Sequence, residues 1–316
     1  MPTRHRFHQL DVFTQAPLKG NPLAVVHDAQ GLDDATLAAF ARWTNLSETT
    51  FLLPPTPSAR AEGADYRVRI FTPGGELPFA GHPTLGSCQA WLLAGGRPRG
   101  DALILQECGV GLVRIRRDGT RLAFAAPPLR RSGPLEPALV ARIARGLGLR
   151  ADEIVAHQWV DNGPGWCAVM LGSAAQVLAL RPDPAVVGDL KLGVVGPQPA
   201  GQETAFEVRA FVGSLGVPED PVTGSLNAGL AQWLIGAGRA PPRYVAAQGA
   251  ALGRAGRVHV AVIDNEVWVG GDVVACIEGQ LDLGSLLLRR AVGAREGAKC
   301  GGSGSWVYRM VSCTMK

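Results

Sequence analysis

The sequence predicts an α+β protein made of two related halves. Two stretches repeat each other, each a Gly-rich polar turn running into a helix-prone apolar segment. Pro78-Phe79-Ala80-Gly81-His82-Pro83-Thr84 leads to Ala90-Trp91-Leu92-Leu93-Ala94-Gly95-Gly96-Arg97. Glu219-Asp220-Pro221-Val222-Thr223-Gly224-Ser225 leads to Gln232-Trp233-Leu234-Ile235-Gly236-Ala237-Gly238-Arg239. Trp233 follows Trp91 by 142 residues, and Arg239 follows Arg97 by the same 142. Helical patterns occur singly among many strand-like ones, which fits α+β better than a regular βαβ alternation. A Pro-rich stretch from Ala126 to Pro137 is the best linker, giving an N-terminal domain over 1–128, a C-terminal domain over 129–290 and a flexible tail over 291–316.

Phe7–Phe13 alternates apolar and polar residues and reads as a strand. A turn around Gly20-Asn21 separates it from a second strand, Leu23–Val26. Asp33 or Asp34 can cap a helix over Ala35–Trp43, with Leu37, Phe40 and Ala41 on one face. Asn45–Leu53 leaves that helix for a β-prone strand, and Glu48 falls at the junction. Tyr66–Phe71 is another alternating strand, and the first repeated helix follows Gly81-His82-Pro83. Strands are expected within Ala102–Ile115 and over Arg121–Ala125, then a helix over Pro137–Leu147. The second half continues with strands near Ile154–Val160, Trp166–Leu171 and Glu207–Phe211 before the second repeated helix. Further strands are expected at Val258–Ile263, Glu266–Gly270 and Asp272–Glu278.

At 316 residues, 47% hydrophobic and 18% charged, the chain can bury a large core. Six of its 31 basic residues and one of its 27 acidic ones lie in Arg289–Lys316, so the body is close to neutral at 25 basic against 26 acidic. A nucleic-acid partner would call for basic residues on a folded face, and none is expected. No apolar run is long enough to span a bilayer. Met1–Gln9 is polar and lacks a secretory h-region, so a cytoplasmic location is expected. The six cysteines form no C-x-x-C pair and have no His cluster beside them, which favours reduced thiols over a zinc site.

The two turns carry the chemistry. A helix N-terminus has free N–H groups and the positive end of the helix dipole, so it can hold an anion. Gly81 and Gly224 let a ligand approach the backbone. His82 adds a titratable imidazole, and Ser225 a hydroxyl. Two such entries facing one cleft suit a small carboxylate-bearing substrate, although Thr223 or Ser225 could equally be an ordinary helix cap. Neither turn has the Lys-Ser/Thr ending of a phosphate-binding P-loop, and no dinucleotide fingerprint follows a strand. Glu48 and Asp220, read alone, are turn residues.

Four motifs together resemble the phenazine-biosynthesis PhzF-like family, within the diaminopimelate-epimerase-like fold. They are Leu10-Asp11-Val12-Phe13 with Gly20-Asn21-Pro22, Asn45–Phe51, Phe79–Thr84 and Glu219–Ser225, in family order over residues 6–285. The resemblance implies two pseudo-symmetric domains, each a β-barrel-like sheet wrapped around a central helix, with the site in the cleft and a homodimeric assembly. It places the catalytic glutamate on Glu48 and the other site residues on His82, Asp220 and Ser225. Neither turn carries a cysteine, so epimerisation between two thiols lacks its residues. A single carboxyl can still move a proton between two carbons on one face of a conjugated substrate, with no metal or organic cofactor. The expected activity is a cofactor-independent isomerase of the dihydro-hydroxyanthranilate kind. An amino-acid racemase using Glu48 and Asp220 as opposed bases, or a binding protein that retains the cleft, are the alternatives.

Overall fold

The computed structural model describes residues 4–100, 102–213 and 218–283; the tail expected over 291–316 lies outside them. Seventeen strands and seven α-helices are present among the described residues, and every strand belongs to one connected set of ladders. The helix expected after Asp33 spans Asp34–Thr44: the Asp33 carboxylate accepts the Thr36 N–H at 2.8 Å, and Asn45 closes the helix at φ +53°. The helix over Pro137–Leu147 starts on its proline and stops at Gly148, φ +69°.

The duplication is visible in strand pairing. Ala24 lies opposite Thr49 in a parallel ladder, and Trp166 lies opposite Lys191 in another. Tyr66 pairs in parallel with Gln106, and Val208 with Gln248. Each of these second pairs follows its first by 142 residues, the spacing seen in the sequence. Pairing also crosses between the sequence halves. Leu122–Ala125 is laid against Trp268–Gly271, and Val273–Asp282 runs antiparallel to Arg4–Val12.

Two helices of equal length, Gly81–Leu93 and Gly224–Gly236, carry no Asp, Glu, Lys or Arg and pack against strands, as buried helices do. Leu85, Cys88, Leu226 and Leu230 are fully buried in one core with Leu10, Leu23, Phe124 and Val269. The helices repeat at 143 residues, one more than the sequence alignment gave. Gly95 and Gly238 close them at φ +93° and +65°. The closing hydrogen bonds Ala94 N–H to Ala90 O and Gly96 N–H to Trp91 O recur as Ala237 to Trp233 O and Arg239 to Leu234 O. Trp91 is therefore equivalent to Leu234, not to Trp233. One residue is 100° around a helix, and the two indoles face different surroundings. Trp233 is buried, while Trp91 is half-buried and stacks on Tyr66 with ring centroids 5.1 Å apart.

Some elements were not expected from sequence. Lys191–Pro197 is a strand although it contains two glycines and a proline. Gly193 is needed there, because a Cβ would lie 2.4 Å from Leu226 of the second buried helix. Arg243–Gln248 is a further strand, and Glu219–Asp220, read as a turn, forms a short one against Ala210–Phe211. Short helices at Pro57–Ala61, Ala174–Ala179 and Pro184–Val187 also went unread.

The two buried helices meet end to end. A Cβ added at Gly81 would stand 2.6 Å from Gly224 Cα and 2.8 Å from Ser225 N, and a Cβ at Gly224 would stand 2.8 Å from Gly81 Cα. These neighbours are backbone and cannot swing aside. Gly81→Ala is expected to cost about 1–3 kcal/mol of stability by overpacking, measured by urea denaturation. An unchanged midpoint would mean that the contact is looser than the geometry shows.

Candidate active site

Glu48, Gly81, His82, Asp220, Gly224 and Ser225 line one cavity of about 40 Å³, with Trp166 and Lys191 beside them. A larger hollow of about 300 Å³, lined by Arg116, Arg121, Arg243 and His259 among others, lies elsewhere on the sheet. Its charged groups are arginines, one histidine and Asp118, with no pair of interacting carboxyls. Of these two, the smaller cavity is the one that brings two interacting carboxyls together.

Local folding brings the groups together. Glu48 ends the connection into the strand Thr49–Leu53. Gly81 and His82 open the first buried helix, and Gly224 and Ser225 open the second. Neither helix has a side-chain cap at its N-cap residue, Ala80 or Thr223. The capping role that the sequence allowed for Thr223 is not taken up; its hydroxyl donates to Asp220 Oδ2 at 2.6 Å instead. Two helix N-termini thus converge with their dipoles' positive ends on the same small space.

Asn21 ties the two sides. Its amide nitrogen donates to Asp220 Oδ1 at 2.9 Å and to Val222 O at 2.8 Å, and stands 3.1 Å from His82 Nδ1. Those acceptors fix the amide orientation. A nitrogen that faces an N–H donor must itself accept, so His82 Nδ1 carries no proton and Nε2 carries it. Nε2 is 3.4 Å from Glu48 Oε2. Among the described residues neither of these two buried atoms has a hydrogen-bond partner.

Electrostatics separate the three titratable groups. Burial pushes His82 down to about 3, so the imidazole is neutral. Burial, and then the neighbouring Asp220 charge, push Glu48 well above the usual carboxylate range. Asp220 rises from 3.8 to about 6 through burial, opposed by hydrogen bonds from Thr223, Asn21 and Ser47. The approach of His82 to Glu48 is therefore a contact between two neutral groups and not an ion pair. The two carboxyls titrate as a coupled pair, with Glu48 raised by burial and then by the Asp220 charge.

Surrounding groups are fixed in turn. Gln248 donates to the Thr223 hydroxyl at 2.9 Å and to Asp220 O at 3.1 Å, and accepts the Thr223 N–H at 3.0 Å. The buried Arg209 grips Glu219 through two hydrogen bonds of 2.9 and 2.7 Å, anchoring the strand that carries Asp220. The Trp166 indole N–H donates to Ser225 Oγ at 3.0 Å, leaving the serine's own proton to be given elsewhere. Cys88 lies on the first buried helix, fully buried, its thiol pushed up to about 12 by burial. It is no nucleophile or base.

Sequence reasoning missed Asn21, Trp166, Lys191 and Gln248. Asn21 had a signal in its Gly-Asn-Pro turn. Trp166, Lys191 and Gln248 stand in strands and act only through pairings between residues far apart in the chain.

Residues 10–279 match the family described as phenazine biosynthesis-like protein, and the chain belongs to that family. It is 36% identical over 299 residues to a Schizosaccharomyces pombe protein named antisense-enhancing sequence 1, covering 88% of this chain and 99% of the relative. It is 33% identical over 290 residues to the trans-2,3-dihydro-3-hydroxyanthranilate isomerase of Pseudomonas aeruginosa, covering 87% of this chain and 99% of that one. The crystal structure of a PhzF-family protein from Enterococcus faecalis superposes with a TM-score of 0.71 at 23% identity, over 88% of this chain and 99% of the other. The same fold, at TM-score 0.57 and 13% identity, is found in a hydroxyproline epimerase from Agrobacterium vitis, over 90% of this chain and 94% of that one. The fold is thus the mixed, sheet-dominated architecture shared by the PhzF family and the proline-racemase-like epimerases.

A carboxyl whose folded pKa is raised contributes stability below its unfolded pKa and loses it as pH rises through the folded one. For Asp220 that window runs from 3.8 to about 6. The melting temperature of Asp220→Asn relative to the parent chain is expected to rise by a few degrees between about pH 4 and about pH 8, whatever fixed cost the lost acceptor adds. A margin independent of pH would show that the buried charge is not its source.

Proposed function

We propose that this chain is a cofactor-independent isomerase that moves a proton within a small carboxylate substrate. The relatives named isomerases support the reaction class. One observation carries the mechanism: a single buried carboxyl, Glu48, presents an unpartnered oxygen to the cavity beside the Nε2–H of a neutral imidazole. Its raised pKa brings acid and base forms within reach of each other, so the same group can take a proton from one carbon and deliver one to another. One C–H bond breaks and one forms on the substrate face turned to Glu48, the double bond shifts between them, and the enzyme ends in its starting state. His82 Nε2–H and Ser225 donate hydrogen bonds to the substrate's polar groups, and the two helix N-termini hold its carboxylate. Asp220 fixes Asn21 and Thr223 and keeps the Glu48 proton in place.

A racemase with Glu48 and Asp220 as opposed bases fits less well, because both Asp220 oxygens already accept hydrogen bonds, from Asn21 and Thr223. A binding protein would have no use for a carboxyl held so far from its ordinary pKa. The substrate of the named relative, trans-2,3-dihydro-3-hydroxyanthranilate, is the first compound to try. The reading includes a cytoplasmic location and a homodimeric assembly, the latter in keeping with the family resemblance.

In heavy water, turnover is expected to place deuterium on substrate carbon or to show intramolecular transfer, with the double bond displaced in the product. Glu48→Gln should lower kcat by about 10²–10⁴-fold. Inversion at one carbon with no bond shift would favour the racemase, and undiminished turnover in the variant would remove Glu48 from the mechanism.

A further inference from the structure

The cavity holds one cation that the proton transfer does not use. Lys191 lines it and is half-buried. Its ammonium donates to Pro164 O at 2.6 Å. An ammonium has three N–H donors, and among the described residues no carboxylate pairs with this one. Glu48 and Asp220 line the same cavity but stand beyond ion-pair distance of it. Pro164 takes one of those donors, and among the described residues no other hydrogen bond to the ammonium is formed.

The repeat sets the position of Lys191. Lys191 lies opposite Trp166 in the second half as Thr49 lies opposite Ala24 in the first. Glu48 immediately precedes Thr49. The two halves therefore supply different groups to the cavity: Glu48 from the first and, one repeat position further on, Lys191 from the second. Trp166, beside Lys191 on the neighbouring strand, holds the Ser225 hydroxyl. Ser225, Trp166 and Lys191 make one polar wall, opposite in chemical character to the Glu48–His82 wall.

Resting on the reading of this cavity as the substrate site, we propose that Lys191 forms a second anion subsite and that the substrate carries two acidic groups. One carboxylate sits on the paired helix N-termini. The other, a carboxylate or an equivalent anionic oxygen, meets the Lys191 ammonium. An anthranilate-type compound has one carboxylate, so the subsite separates this chain's substrate from that of its named relative by an added acidic group.

Calorimetric titration with two unreactive probes, benzoate and isophthalate, tests this without turnover. The parent chain is expected to bind isophthalate about tenfold or more tightly than benzoate, as for a charge-assisted hydrogen bond. Lys191→Met should abolish that preference while leaving benzoate affinity within about twofold, and Lys191→Arg should keep part of it. A thermal melt confirms that each variant is folded. No preference in the parent chain, including no binding of either probe, or a preference that survives Lys191→Met, overturns the subsite. Glu48→Gln should keep the preference, so the subsite can stand when the isomerase reading fails, and fall when that reading holds.

Discussion

Backbone meets backbone where Gly81 approaches Gly224, and the site is arranged around that contact. Two helices enclosed by separate sets of strands can point their N-termini at one space only if nothing larger than hydrogen stands between them. The contact brings His82 and Ser225, the second residue of each helix, to one cavity. It also aligns two positive dipole ends that would repel each other were no anion bound between them. The uncapped first turns of both helices belong to the same design, since a capping side chain would fill the space between them.

From that constraint follows the charge state of the cavity. Walls this close exclude water, and exclusion of water raises both carboxyls and lowers the imidazole. The fold bears this cost elsewhere in kind: the Arg209–Glu219 pair, the Gln248–Thr223–Asp220 chain and the threefold use of Asn21 hold the acidic strand in place. Stability is given up at Glu48 and recovered in the hydrogen-bonded groups around it.

The strands that alternate, and the helices with a cap, a clean apolar face or a proline start, were legible because each obeys a local rule. Asp34–Thr44 and Pro137–Leu147 are examples. The strand Lys191–Pro197 was not, because its Gly193 serves a helix packed on it and not the strand itself. The repeat was legible, but its register in the helices was not. Identical Trp-Leu pairs drew the alignment to 142 residues, whereas the cap glycines and their hydrogen bonds, which set the register, lie at 143. The six candidate site residues were drawn from two turns and a family motif, and they line one cavity. Asn21, Trp166 and Lys191 act through partners some 60 to 200 positions away in the chain or through ladder neighbours, and no local pattern marks such residues.

The central claim is that Glu48 titrates well above the ordinary carboxylate range beside a neutral histidine. Carboxyl ¹³C NMR of the chain labelled at glutamate, with Glu48→Gln used for assignment, measures this directly. The account predicts one glutamate resonance, missing from the variant, that titrates well above 4.5. A Glu48 resonance that titrates near 4.5 would contradict it.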